Sequence, residues 1–139
     1  MVLRAVTVNG RALSYVTDYW ASDKEIVLSA VTNTGDALEF ASESLRNDKD
    51  VVLGAVSNCA CALEFASTPL RGDKDVICTA LRNDGDSFEW ASEELRDDKE
   101  VVMLAVSVNG DNLELASPRL QLDDDIKKAY EQWWADYDA

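Results

Sequence analysis

Apolar residues in this chain fall in short clusters divided by polar punctuation, and the clusters recur at a fixed interval. Between Asp48 and Asn58, Val51, Val52, Ala55 and Val56 lie on one broad arc at about 100° per residue, and Leu53 widens it. So wide an apolar surface predicts a helix packed on two sides, by its own unit and by its neighbours. No stretch alternates with a period of two, so strands are not expected. A second apolar group, Ala37, Leu38, Phe40 and Ala41, predicts a shorter helix over about 36–42. Pro69 and Pro118 fall just beyond the matching positions of later units, where a proline would clash with a continuing helix. "SPRL" from Ser117 reads as a serine cap with proline at the first position of a new short turn. Each unit is therefore expected to run as longer helix, short helix and 3₁₀-like turn, with Leu45, Leu70, Leu95 and Leu120 plugging the turn into the core.

The interval is 25 residues, and it never slips: Ala5, Ala30, Ala55, Ala80 and Ala105 follow it, as do Asp23, Asp48, Asp73, Asp98 and Asp123. A partial first copy (1–22) precedes four complete ones, 23–47, 48–72, 73–97 and 98–122. Such units cannot cover their own apolar faces, so the copies must stack, and the expected fold is an all-α solenoid. Asp and Asn before each longer helix supply caps and first-turn acids, and Ser22 with Glu25 has capping-box spacing. Gly10, Gly35, Gly85 and Gly110 recur where a left-handed helix-ending residue is expected, with Ala60 in that place in the third copy. The stretch 123–139 begins a further copy and then departs from it. Ile126, Ala129, Tyr130, Trp133, Trp134 and Tyr137 form one stripe, with Lys127, Lys128, Glu131 and Asp136 opposite, which predicts a capping helix. Trp133 and Trp134 point about 100° apart, so one of them is expected at the surface.

"ALEFASESLRNDKDVVLGAV" and "SFEWASEELRDDKEVVMLAV" resemble the repeat of the family called domain of unknown function 4116. The resemblance runs through Leu122 and weakens at the "SNCACA" turn. It implies a tandem helical repeat and carries no activity or ligand residues with it.

Composition changes the picture mainly by exclusion. The chain has 139 residues, 47% of them apolar, with 27 acidic against 13 basic residues, a net charge of −14 and no histidine. That charge repels phosphate and anionic lipid, which argues against nucleic-acid binding and membrane surfaces. It favours solubility and would steer a basic protein partner. No run approaches the ~20 apolar residues of a membrane span, and the N-terminal sequence does not read as a signal peptide. Three cysteines, Cys59, Cys61 and Cys78, are too few and oddly numbered for a disulfide framework, pointing to a reducing intracellular compartment.

Candidate chemistry is sparse. The recurring carboxylates Glu39, Glu64, Glu89 and Glu114 read as a solvated helix face. Cys59 and Cys61 form one C-x-C without the second pair that a zinc site wants, and are expected as exposed thiols. Asp84, Gly85 and Asp86 fail as a calcium loop because its first ligand position would be Ala80. Arg46, Arg71 and Arg96, beside Asp48, Asp73 and Asp98 and the recurrent lysines, predict charge ladders between stacked copies. No catalytic, cofactor or metal residues are read, so an enzyme is not expected. The expected function is a non-catalytic scaffold for protein–protein interaction, with the copies' departures from their consensus as candidate partner contacts: Trp20, Arg82, Trp90, Trp133 and Trp134. The alternative is a structural subunit packed inside a larger assembly through an uncapped apolar edge at Met1–Val8 and the aromatic tail.

Overall fold

The computed structural model describes residues 1–139 and is built of helices alone. Eleven α-helices follow one another: α1 (Val2–Val8), α2 (Asp18–Ala21), α3 (Lys24–Asn33), α4 (Glu43–Arg46), α5 (Lys49–Asn58), α6 (Thr68–Arg71), α7 (Lys74–Asn83), α8 (Glu93–Arg96), α9 (Lys99–Val108), α10 (Pro118–Gln121) and α11 (Asp124–Tyr137). After each odd-numbered helix except α11 comes a six-residue 3₁₀ helix, as at Gly35–Phe40 and Ala60–Phe65. The long helices stack α1 on α3, α3 on α5, α5 on α7, α7 on α9 and α9 on α11, so the chain is an all-α solenoid.

The second and third elements of each unit exchange the helix types expected of them. The Ala37 amide donates to the Thr34 carbonyl at 3.0 Å, three residues back, which makes 35–40 a 3₁₀ helix. Ala41 is then extended (φ −73°, ψ 153°), and the Ser42 amide donates to Ala21 O of the preceding copy instead of continuing the turn. Past this break, the Arg46 amide donates to Ser42 O at 2.9 Å, four residues back, so 43–46 is one α-helical turn. Pro69 and Pro118 sit in the first turn of α6 and α10, where no amide proton is needed.

The core is one continuous column. Val51, Val52, Ala55 and Val56 of α5 are fully buried, as are Val76, Ile77, Ala80 and Leu81 of α7 and Val101, Val102, Ala105 and Val106 of α9. Leu45, Leu70, Leu95 and Leu120 close it from the short helices. Each large aliphatic buried in this way contributes about 1.5–3 kcal/mol. Ala5, the equivalent of these alanines in α1, is exposed, because the second copy covers only one side of the first. Val6, by contrast, is buried on the covered side, so a charge there would test folding and not the open edge.

The long helices end without left-handed residues. No glycine has positive φ, and the residues that close α1, α3, α5, α7 and α9, such as Thr34 (φ −143°, ψ 100°), are extended. Gly35 is required by crowding: a Cβ there would stand 2.5 Å from Ala55 O and 2.8 Å from the Cys59 amide nitrogen of the next copy. The Gly35 amide donates to Asn58 Oδ1 at 2.8 Å, and Gly10 makes the same bond to Asn33 Oδ1 at 3.0 Å. Where Ala60 replaces glycine, Asn83 keeps the corresponding bond to Ser57 O at 3.2 Å and adds one to Val56 O at 2.9 Å, but makes none to the Ala60 amide. The capping-box expectation at Ser22 also yields to a neighbour, since Asp23 caps α3 by accepting from the Ile26 amide.

Candidate functional site

A charged seam joins the copies. Each long helix after α1 is capped by an aspartate whose Oδ1 accepts backbone amides of its own first turn, as Asp48 Oδ1 does from Asp50 (3.0 Å) and Val51 (3.2 Å). The other oxygen accepts from a lysine of the preceding copy: Lys24 to Asp48 (2.9 Å), Lys49 to Asp73 (2.9 Å), Lys74 to Asp98 (3.0 Å) and Lys99 to Asp123 (3.0 Å). Each lysine also bridges to a first-turn acid, respectively Asp50, Asp75, Glu100 and Asp125. The Lys24 ammonium draws the Asp48 carboxyl below its ordinary pKa, and Lys99 does the same to Asp123. At Asp73 and Asp98 burial pushes upward, but the lysine and the backbone amides outweigh it. These lysines are 42–46% exposed, so water screens each pair, and the aliphatic column, at several kcal/mol per copy, outweighs them. The seam fixes register; the apolar core holds the stack.

Arg46, Arg71 and Arg96 take no part in that seam, contrary to the ladder expected of them. They stand in the last turn of α4, α6 and α8. Arg96 donates from Nε to Ala91 O (3.1 Å) and from Nη2 to Glu89 O (2.7 Å). Arg46 and Arg71 border instead an open groove of about 840 Å³ between α4 and α6, lined also by Glu43, Ser44, Asn47, Glu64, Phe65, Ala66, Ser67, Thr68 and Pro69. The Ser67 amide donates to Arg46 O at 3.0 Å across the groove floor, and Ser67 Oγ bonds Asn47 Oδ1. The Nε atoms of Arg46 and Arg71 are buried without a hydrogen-bond partner. Sequence reasoning passed over this groove because arginine and lysine carry the same charge in a charge count; only the direction of each side chain separates them.

The five candidate contact residues do not converge. Trp90 is half-buried, with the Arg71 guanidinium 5.9 Å from its ring centre, which places it beside the groove. Arg82 is exposed at the end of α7, in a separate shallow hollow with Lys74, Asp75, Cys78 and Glu100. Trp20, on α2, is 36% exposed and packs edge-on against Tyr19. Trp133 is half-buried over Gly110, closing the last copy, while Trp134 is 42% exposed.

Cys59 and Cys61 are joined in a disulfide across the turn between α5 and its 3₁₀ helix, with Cα atoms 5.2 Å apart, so they are not the free thiols expected. In other copies the same turn is closed by a side-chain bond over the same span: Asn9 Oδ1 accepts from the Arg11 amide, Asp84 Oδ1 from Asp86 and Asn109 Oδ1 from Asp111, each at 3.0 Å. The disulfide is a covalent equivalent of that Asx turn. Cys78 is free, and burial raises its thiol pKa. No helix is long and apolar enough to cross a membrane.

The domain of unknown function DUF4116 matches residues 23–71 and 73–121, each match spanning two copies. No curated protein and no solved structure matches the chain. The tandem match covers the stacked copies that form the seam and the groove: the chain belongs to the DUF4116 family.

Proposed function

We infer that the chain is a non-catalytic helical-repeat scaffold that holds another protein along the face of its short helices. The observation that carries this reading is the open polar groove between α4 and α6, a trough formed by two adjacent copies and not an enclosed chamber. Extended protein segments lie in such troughs, and stacked repeats present them in series. The lining differs from copy to copy: Asn47 becomes Gly72 and then Asp97, which gives one face several chemistries. A net charge of −14 adds long-range attraction for a partner that is basic overall. Trp90, beside the groove, is the candidate contact best placed to serve it.

A second reading, a structural subunit within a larger assembly, is favoured by exposed aromatic residues of the first copy. Tyr15 is 91% and Tyr19 72% exposed, next to Trp20. A photo-crosslinking side chain placed in turn at Thr68, Arg82 and Tyr19, in the chain returned to its native source, separates the two. The scaffold reading expects protein adducts from Thr68 and none from Arg82. Adducts confined to Tyr19 would replace it with the assembly reading.

A further inference from the structure

Stability alone does not account for the Cys59–Cys61 bridge. It joins residues two apart, where a cross-link constrains the unfolded chain least. In other copies a single hydrogen bond closes the same span, from the Arg11, Asp86 or Asp111 amide to the side chain of Asn9, Asp84 or Asn109. What sets the bridge apart is access. Cys61 is exposed and Cys59 half-buried, so an attacking thiolate meets Cys61 first. The bond that breaks leaves its electrons on Cys59, and a donor for that charge stands ready. Cys59 caps no amide while bridged, whereas Asp84, its equivalent one copy on, is an anion that accepts from the Asp86 amide at 3.0 Å. Cys61 stands at the position of Asp86, so its amide can serve a Cys59 thiolate in the same way. Opening the bridge exchanges a covalent closure for the Asx-type closure of the next copy, and the turn persists in both forms.

The surroundings select the attacker. Cys61 lines a hollow of about 300 Å³ together with the exposed carboxylates of Glu64, Asp84, Asp86 and Glu89, and with no basic side chain. None of the four acids enters a salt bridge. They repel an incoming thiolate as well as the leaving one. The leaving sulfur has the Cys61 amide; the incoming one must bring its own positive charge. The net charge of −14 draws such a thiol in from a distance and turns an anionic one away.

We propose that the Cys59–Cys61 bridge is a thiol–disulfide exchange site selective for thiols carried beside positive charge, such as a cysteine in a basic protein segment. A thiolate attacks Cys61 Sγ, forms a mixed disulfide there and expels Cys59 as a thiolate. A second thiolate attacks the incoming sulfur of that mixed disulfide and frees Cys61. In sum, two thiols are oxidised to one disulfide, the bridge is reduced to two thiols, and two protons pass from the first pair to the second. No segment in the groove between α4 and α6 is required, so the exchange site and the scaffold reading stand or fall separately.

The test follows bridge opening in the whole chain by acid-quenched mass spectrometry. Cysteamine, mercaptoethanol and mercaptoethanesulfonate are compared at equal thiolate concentration, with the oxidised, end-blocked tripeptide of residues 59–61 as the reference that has the bridge without the acids. In low salt, cysteamine should open the chain's bridge about tenfold or more faster than the sulfonate does, after division by the same ratio in the tripeptide. Mercaptoethanol should fall between them, and the preference should fade in about 1 M salt. The trapped mixed disulfide should sit on Cys61. Glu64→Gln with Glu89→Gln, which removes two exposed charges from the hollow, should cut the preference by about twofold or more. A bridge that resists thiols able to open the tripeptide, a preference no greater than the tripeptide's, a preference unmoved by salt, or an adduct on Cys59 would overturn the assignment.

Discussion

The Asn58 side chain accepts the Gly35 amide at 2.8 Å, across the joint between neighbouring copies, and its own amide donates to Thr32 O at 3.1 Å. One residue thus closes the end of two stacked helices, in space that the missing Cβ of Gly35 leaves open. Removing the side chain strands the part-buried Gly35 amide, so Asn58→Ala is expected to cost about 1–3 kcal/mol in urea unfolding. Gly35→Ala should cost a similar 1–3 kcal/mol through crowding against Ala55 O. Ala60→Gly, at a joint that already lacks the equivalent bond, should lie within about 1 kcal/mol of the parent.

Acidification should destabilise the chain in a defined window. Asp48, Asp73, Asp98 and Asp123 have folded pKa values below their unfolded ones. Their contribution is full above the unfolded value, about 4, and is lost as pH falls through the folded values. The seam lysines are raised by the same pairs, so theirs is full below about 10.4 and is lost as pH climbs beyond it. With no histidine in between, the melting temperature measured by circular dichroism should be nearly flat from about pH 5 to 8. A step near pH 6.5 would contradict this.

Breaking one rung of the seam should matter little. Lys49→Met leaves Asp73 its backbone amide donors and removes pairs that are largely solvated. The urea midpoint is expected to move little, and the difference should shrink further in high salt.

Reducing the Cys59–Cys61 bridge opens a very short loop. The expected cost is about 1–2 kcal/mol with helical content retained, read from urea curves with and without reductant. Loss of a whole copy's helicity would show that the bridge does more than replace an Asx turn.

Trp133 and Trp134 should behave differently on truncation. Trp133 covers Gly110 at the end of the stack, so Trp133→Ala should cost about 2–3 kcal/mol. Trp134→Ala, at the more exposed site, should cost less than half of that in the same thermal melts.

The stack was legible because a 25-residue period fixes which residues face one another, whatever the local helix type. That type was not legible in 35–46. Over six residues, periods of 3.0 and 3.6 bury nearly the same apolar positions, so Ala37, Leu38 and Phe40 fit either. What decides is the Ser42 amide, which bonds the preceding copy and breaks the chain's helix at Ala41. The groove was hidden for a related reason. Arg46 and Lys49 stand three residues apart with the same charge, and only the fold carries Lys49 to Asp73 while leaving Arg46 at the edge of the groove. The Cys59–Cys61 bridge needed the extended backbone at Cys59, which brings side chains two residues apart to one side.

The central claim, that equivalent residues lie in rows along a stack, is tested most directly by distances between spin labels. Cysteines would replace Glu39, Glu64, Glu89 and Glu114, taken in pairs, in a chain whose three native cysteines are removed. Helices packed side by side put about 8–10 Å between neighbouring copies, so the 39–64, 39–89 and 39–114 separations should lengthen in nearly equal steps. A 39–114 distance no longer than 39–64 would contradict the stack.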